Sequence, residues 1–483
     1  MIRNMNQEAL YLNDRSIHEV NTRERAFIFH IPSSGLFEPD LVTGDILRRL
    51  RNEPSVTRSR LVSELGTNYG VEEIDTAIEE LEFLGVITGF KPHQVAPSPI
   101  HLEKVPLTTM VLNVNTGCNL SCSYCYKEDL QKPSAGKEMT FETAKQSIDM
   151  LLTESPDIDR YNLVFFGGEP LTNFSLITNI IEYTERLFQS AGKKIDFSLT
   201  TNATLLTEST IEYLDDHAVG IAVSMDGPRA FHDRNRITIG GKGTYDVVRK
   251  KVDLLLARYK SRPVGVRVTL THGILDVERI WDHLFNTIGF AEVGFAPVTS
   301  GDTTAFNLVE EELIQLYANM KDLGQLYLSE ALKGRNIGFS NLHQLLTDLH
   351  EGRKKKLPCG AGVGMVAVDN EGGVNLCHRF TGSDQPLMGH VERGMDIAAL
   401  NTFLNQRQNH LAARCATCRI RNLCAGGCYH ESYTRVGDAS EPTSHYCDLM
   451  RNWIDFGIEV YTEIMQSNPA YYTNFIEPRS CRI

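Results

Sequence analysis

The stretch Thr109-Met-Val-Leu-Asn-Val-Asn115-Thr-Gly-Cys118-Asn-Leu-Ser-Cys122-Ser-Tyr-Cys125-Tyr126 decides how this chain is read. Residues 109–115 are mostly apolar and β-favouring, which predicts a strand. Three cysteines follow at CxxxCxxC spacing, so they fall on a loop at the C-terminal end of that strand. Three thiolates in one short loop can hold three irons of a [4Fe–4S] cluster and leave the fourth open. A zinc site or three unrelated thiols would fit the same spacing, and the surroundings of the loop decide among them.

Working outward, strand and helix alternate from 107 to 304. Strands are predicted at 109–115, 162–166, 195–200, 220–224, 265–270 and 292–297. Amphipathic stretches lie between them, for example at 141–152, 176–189 and 246–259. Six β/α units predict an α/β fold, a parallel and partly closed (β/α)6 barrel with its site at the strand C-terminal ends. Uncommon residue patterns fall at those ends. Phe166-Gly167-Gly168-Glu169-Pro170 closes the second strand, and a glycine pair there lets backbone approach closely. Thr200, Thr201 and Asn202 close the third. Ser224, Met225, Asp226 and Gly227 close the fourth, and Arg267 lies on the fifth.

Taken together these motifs resemble the radical S-adenosylmethionine (SAM) superfamily, whose signature is CxxxCxΦC, with Tyr124 as the aromatic Φ. The resemblance implies that Cys118, Cys122 and Cys125 ligate a [4Fe–4S] cluster. SAM chelates its open iron and is cleaved to a 5′-deoxyadenosyl radical. It also implies cofactor contacts from Tyr124, Gly167, Gly168, Glu169, Pro170, Thr200, Asn202, Ser224, Asp226 and Arg267. Glu169 would accept from the SAM ammonium. The hydroxyl and acid groups would meet the ribose and carboxylate, and Arg267 would meet the carboxylate.

A second cysteine series reads Cys359, Cys377, Cys415-x2-Cys418-x5-Cys424-x3-Cys428, then Cys447. It resembles the SPASM extension of peptide-modifying radical SAM enzymes, which usually carries two auxiliary [4Fe–4S] clusters. By that resemblance Cys415, Cys418, Cys424 and Cys447 hold one cluster, and Cys359, Cys377 and Cys428 hold the other. The second is one thiolate short. Either Cys481 completes it or the position is open to a substrate thiolate. Zinc remains a rival for the 415–428 segment alone.

The remaining chain divides as follows: 1–23 a polar segment, 24–92 a small unit, 93–106 a proline-bearing linker, 305–357 a helical bridge, 358–447 the cysteine-rich domain, and 448–483 a closing helix and tail. Within 24–92, short strands and three helices predict a winged-helix-like domain, with Asp40 capping the first helix. Its third helix carries Glu72, Glu73, Asp75, Glu79 and Glu80, and the whole chain of 483 residues has a formal net charge of −13. Both argue against nucleic acid as a partner. The unit instead resembles the leader-peptide recognition domain of maturases of ribosomally made peptides, which adds an extended peptide to a sheet edge. No membrane-spanning run or signal peptide is seen, so a cytoplasmic location is expected.

Cys359-Gly-Ala-Gly and Leu376-Cys377-His378-Arg379-Phe380 resemble the thioether-forming branch. That branch includes maturases of six-cysteine peptide precursors and of the quinohemoprotein amine dehydrogenase small subunit. A peptide or small-protein substrate and an electron donor such as flavodoxin or ferredoxin would follow. Formylglycine formation of the sulfatase-maturase type, carbon–carbon cross-linking, epimerisation and a plain iron–sulfur redox protein are the alternatives. No general acid or base can be named from the sequence.

Overall fold

The computed structural model describes residues 9–21, 25–93, 98–125, 136–298 and 305–477. Strands β1 (Ala9–Leu12), β2 (Ile17–Asn21), β3 (Ala26–His30) and β4 (Gly35–Phe37) open the chain. Helix α1 (Leu41–Asn52), β5 (Val56–Thr57), α2 (Arg58–Leu65), α3 (Val71–Phe83) and β6 (Ile87–Thr88) complete the N-terminal unit. Two antiparallel three-stranded sheets form, ordered β2-β3-β4 and β5-β1-β6. Asp40 caps α1 by accepting from the Thr43 amide at 2.8 Å. Helices α1 and α3 bury Ile46, Leu47, Ile74 and Ile78 against β1 and β3.

Residues 9–21 differ from the polar lead-in expected of them, since they supply two strands. Leu10, Ile17 and Val20 are buried. Ile17 and Val20 sit among polar neighbours, and strands of four and five residues are too short for alternation to show.

The barrel strands are β7 (Thr109–Asn115), β8 (Arg160–Gly167), β9 (Lys194–Thr201), β10 (Gly220–Ser224), β11 (Gly265–Leu270) and β12 (Glu292–Pro297). All five pairings along this series are parallel. Helices α4 (Phe141–Glu154), α5 (Phe174–Ser190), α6 (Glu208–Asp216), α7 (Arg229–Asn235), α8 (Tyr245–Arg258) and α9 (Val277–Asp282) fall between them. α5 shows why: Leu176, Ile177, Ile180 and Ile181 recur at helical spacing and are buried.

Helices α10 (Glu310–Leu332) and α11 (Ser340–His350) bridge to the cysteine-rich region. Four short strands follow, β13 (Met365–Val368), β14 (Gly373–Asn375), β15 (Gly389–His390) and β16 (Gly394–Met395). β13 pairs parallel with β7, so the barrel sheet continues into the cysteine-rich region as one ten-stranded sheet. Helices α12 (Ile397–Arg414), α13 (Arg421–Cys424), α14 (Tyr429–Val436), α15 (Cys447–Ser467) and α16 (Ala470–Phe475) finish the chain. The N-terminal unit rests on this end. His18 Nε2 lies 3.0 Å from Asp455, and Asn422 Nδ2 donates to the Ile31 carbonyl at 2.6 Å. Among the described residues no helix is long and apolar enough to cross a membrane.

Candidate active site

The three-cysteine loop leaves β7 where the barrel opens. Its own turn is closed by the Cys125 amide donating to the Cys122 carbonyl at 3.0 Å. The segment after β10 pins it from the side: Ser121 and Ser123 amides donate to Ile237 and Asn235 carbonyls, each at 2.9 Å.

The glycine pair after β8 pins it from below. The Gly168 amide donates to Asn115 O at 3.0 Å and the Glu169 amide to Gly117 O at 3.1 Å. A Cβ on Gly168 would stand 2.0 Å from Gly117 O, and Gly167 holds φ +148° with Asn115 O 2.2 Å from its own Cβ position. The close approach that demands glycine is therefore made to the cysteine loop's backbone.

Glu169 is buried and accepts from three protein donors: Leu171 N at 3.1 Å, Thr201 Oγ1 at 2.8 Å and Asn202 N at 2.7 Å. It thereby joins the ends of β8 and β9. Burial, only partly offset by those donors, pushes its pKa up to about 7. Asp226 lies behind the loop. It takes the Arg236 guanidinium through both oxygens at 2.9 and 3.2 Å, the Tyr124 hydroxyl at 2.7 Å and the Thr269 amide at 2.9 Å. Arg236 also lies 5.5 Å above the Tyr124 ring.

These groups surround a cavity of about 400 Å³. Of the residues singled out in the sequence, Cys118, Cys122, Cys125, Tyr124, Gly167, Gly168, Glu169, Thr200, Asn202, Ser224 and Arg267 line it. Pro170 is buried at the start of a 3₁₀ turn, and Asp226 stands outside the lining, acting on it through Arg236 and Tyr124. Arg267 faces the cavity with its guanidinium drawn below its ordinary value by burial alone. Sequence reading missed Arg236, because its pairing with Asp226 spans a helix and carries no motif.

The later cysteines fall into two sets. Cys415, Cys418, Cys424 and Cys447 line one cavity of about 90 Å³. Cys359, Cys377 and Cys428 lie near one another: burial first, and the Cys428 sulfur among the further causes, raise the Cys359 and Cys377 thiols. Cys428 also lines a cavity of about 310 Å³ with Tyr317, Glu431, His445 and Tyr446. Ala296, Pro297, Val298 and Arg379 line both this cavity and the first, so the two cavities adjoin. Cys481 lies outside the described residues.

The donor chemistry fits iron–sulfur ligation. Burial pushes Cys118 up to about 12, and Cys122, Cys377 and Cys415 to about 11. Such thiols are inert nucleophiles at neutral pH and ionise when a metal takes the sulfur. None of the ten described cysteines is in a disulfide. A single tetrahedral zinc with bonds of about 2.3 Å would hold its sulfurs roughly 3.8 Å apart. Among the described residues, the one group of three or more metal-binding side chains whose ligand atoms all lie within 4.8 Å is His410, Asp438 and Glu441. The cysteine sets are wider than a one-ion site.

The parallel barrel with three cysteines and this cavity at its strand ends is the arrangement expected of a radical SAM enzyme. Residues 112–284 match the family model described as the Radical SAM superfamily. The chain is similar to a cysteine-type anaerobic sulfatase-maturating enzyme of Clostridium perfringens, at 24% identity over 73% of this chain and 96% of the relative. It is similar to the radical SAM cyclopropyl synthase TigE of Paramaledivibacter caminithermalis, at 23% identity over 92% and 95%. Among solved structures it resembles native anSMEcpe with bound AdoMet, with TM-score 0.65, 21% identity and coverage of 75% and 100%. It also resembles Streptococcus suis SuiB bound to precursor peptide SuiA, with TM-score 0.50, 15% identity and coverage of 90% and 99%. These structural likenesses bear on the fold.

Proposed function

We propose that this enzyme is a maturase that installs an intrapeptide thioether, joining a cysteine sulfur to a carbon of another residue, Asp or Glu among them, in a ribosomally made peptide or small protein subunit. The observation that carries the reading is that the cavity at the first cysteine set and the cavity at Cys428 adjoin, with Ala296, Pro297, Val298 and Arg379 lining both. A peptide segment reaching across that boundary would meet both. When bound, the cluster at Cys118, Cys122 and Cys125 and its SAM supply a carbon radical able to take hydrogen from an unactivated C–H bond. Arg267 binds the SAM carboxylate, Glu169 its ammonium, and Thr200 and Ser224 its polar groups. Arg236 holds Asp226 and, through it, the Tyr124 ring against the cavity. The cysteines at 415, 418, 424 and 447 hold one auxiliary [4Fe–4S] cluster and those at 359, 377 and 428 a second. The substrate thiol is held near Cys428, and a flavodoxin or ferredoxin supplies electrons in the cytoplasm.

The winged-helix-like N-terminal unit is the docking site for a leader peptide. β4 is the edge strand of β2-β3-β4 and is half-buried, so its outer side is available for strand addition. SuiB, the structure with a bound precursor peptide, aligns with 90% of this chain. Formylglycine formation is the second reading, favoured by the 96% of the Clostridium perfringens sulfatase-maturating relative that aligns. That alignment takes in 73% of this chain.

The test is mass spectrometry of a cysteine-bearing candidate peptide after reaction with reconstituted protein, SAM and reductant. A loss of two hydrogens with no alkylatable thiol is expected. An aldehyde would move the assignment to the sulfatase type.

A further inference from the structure

The two later cysteine sets meet at one short segment, Cys424-Ala-Gly-Gly-Cys428, whose ends belong to different sets. All three linking residues are left-handed: Ala425 at φ +49°, Gly426 at +81° and Gly427 at +75°. Alanine is unfavourable there, so something must hold the segment. That something is Arg407 on α12, which is 0% exposed. Its Nη2 donates to the carbonyls of Ala425 and Gly427, each at 3.1 Å. Its Nη1 donates to Ser440 O at 3.3 Å and to Glu441 O. A Cβ on Gly426 would stand 2.5 Å from Nη2, so glycine at 426 is the space the guanidinium needs. The guanidinium lies 5.1 Å above the ring of Tyr429, the neighbour of Cys428.

A buried guanidinium is costly unless anions face it. Among the described residues no carboxylate bonds it, its acceptors are four carbonyls, and its Nε has no hydrogen-bond partner. Burial draws its guanidinium below the ordinary value, and Tyr429 and the cysteines 415, 424 and 428 around it act in the opposite sense.

We propose that Arg407 is a positioning residue for both auxiliary centres, tying the link between them and supplying the positive charge that offsets two anionic iron–sulfur groups. This rests on the reading that the seven later cysteines hold two clusters. A fixed cation beside such a centre favours its reduced, more negative form and raises its potential.

The test uses full-length protein carrying C118A/C122A/C125A, so that only auxiliary centres contribute, with Arg407→Gln and Arg407→Lys compared against that parent. Iron is counted and the midpoint is read by reductive titration followed by EPR. Arg407→Gln is expected to load iron with a midpoint shifted to lower potential, while Arg407→Lys stays near the parent. Loss of iron from Arg407→Gln with retention in Arg407→Lys also supports the charge role. Full loading of Arg407→Gln at the parent's potential overturns the proposal. So does equal loss of iron from both variants, which would make Arg407 a matter of shape. A parent that binds zinc, or no iron, overturns the cluster reading itself and is seen before either variant is compared.

Discussion

Glu169 is a carboxylate with three protein donors and still a raised pKa, near 7. An unfolded glutamate titrates near 4.3. Its folded form therefore prefers the proton, and its stability contribution is full below about pH 4 and lost as pH rises through about 7. In cluster-free protein the wild type should lose roughly 2–3 kcal/mol relative to Glu169→Gln between pH 4.5 and pH 8, read by urea unfolding at both. Equal pH slopes would refute this. Arg236 gives a second prediction at this scale. Arg236→Gln leaves the buried Asp226 carboxylate without its cation, which should cost about 3–5 kcal/mol in thermal or urea unfolding. A cost under about 1 kcal/mol would show the pair to be incidental. The cysteines and Glu169 were legible in the sequence because their spacing is local. The Tyr124–Asp226–Arg236 contact was not, since its members lie 102 and 10 residues apart and are joined only by the fold.

The six barrel strands are the elements sequence reads best, since apolar residues recur through each and helical stretches separate them. β13 is harder. It is four residues in a glycine-rich stretch, and its place beside β7 depends on chain 256 residues away. Nothing local says that the cysteine-rich region continues the barrel sheet. The glycine pair was legible as a close approach, but its partner was not: it meets the cysteine loop's own backbone. Gly168→Ala must therefore push that loop off the end of β8. It should cost about 1–3 kcal/mol and lower iron retention at Cys118, Cys122 and Cys125, with the other seven cysteines still loaded. Iron counts unchanged from wild type would contradict this. For the N-terminal unit, amide exchange at residues 35–37 should slow when a leader peptide is added, as an edge strand gains a neighbour. Protection confined to α3 instead would place the peptide elsewhere.

At the scale of the molecule, one sheet carries the radical site at β7–β12 and leads through β13 toward the auxiliary cysteines. The N-terminal unit rests on the same end through His18–Asp455 and Asn422–Ile31. A peptide held at β4 is thus tethered to the body that carries both adjoining cavities. With three four-iron clusters, reconstituted protein should bind about twelve irons, and C118A/C122A/C125A about eight. The claim beneath all of this is that the cavity at Cys118, Cys122 and Cys125 cleaves SAM. The direct measurement is 5′-deoxyadenosine released from SAM under reductant by reconstituted wild type, beside C118A/C122A/C125A. The account predicts release by the wild type and none by the variant. No nucleoside from the loaded wild type, or equal amounts from both, would contradict it.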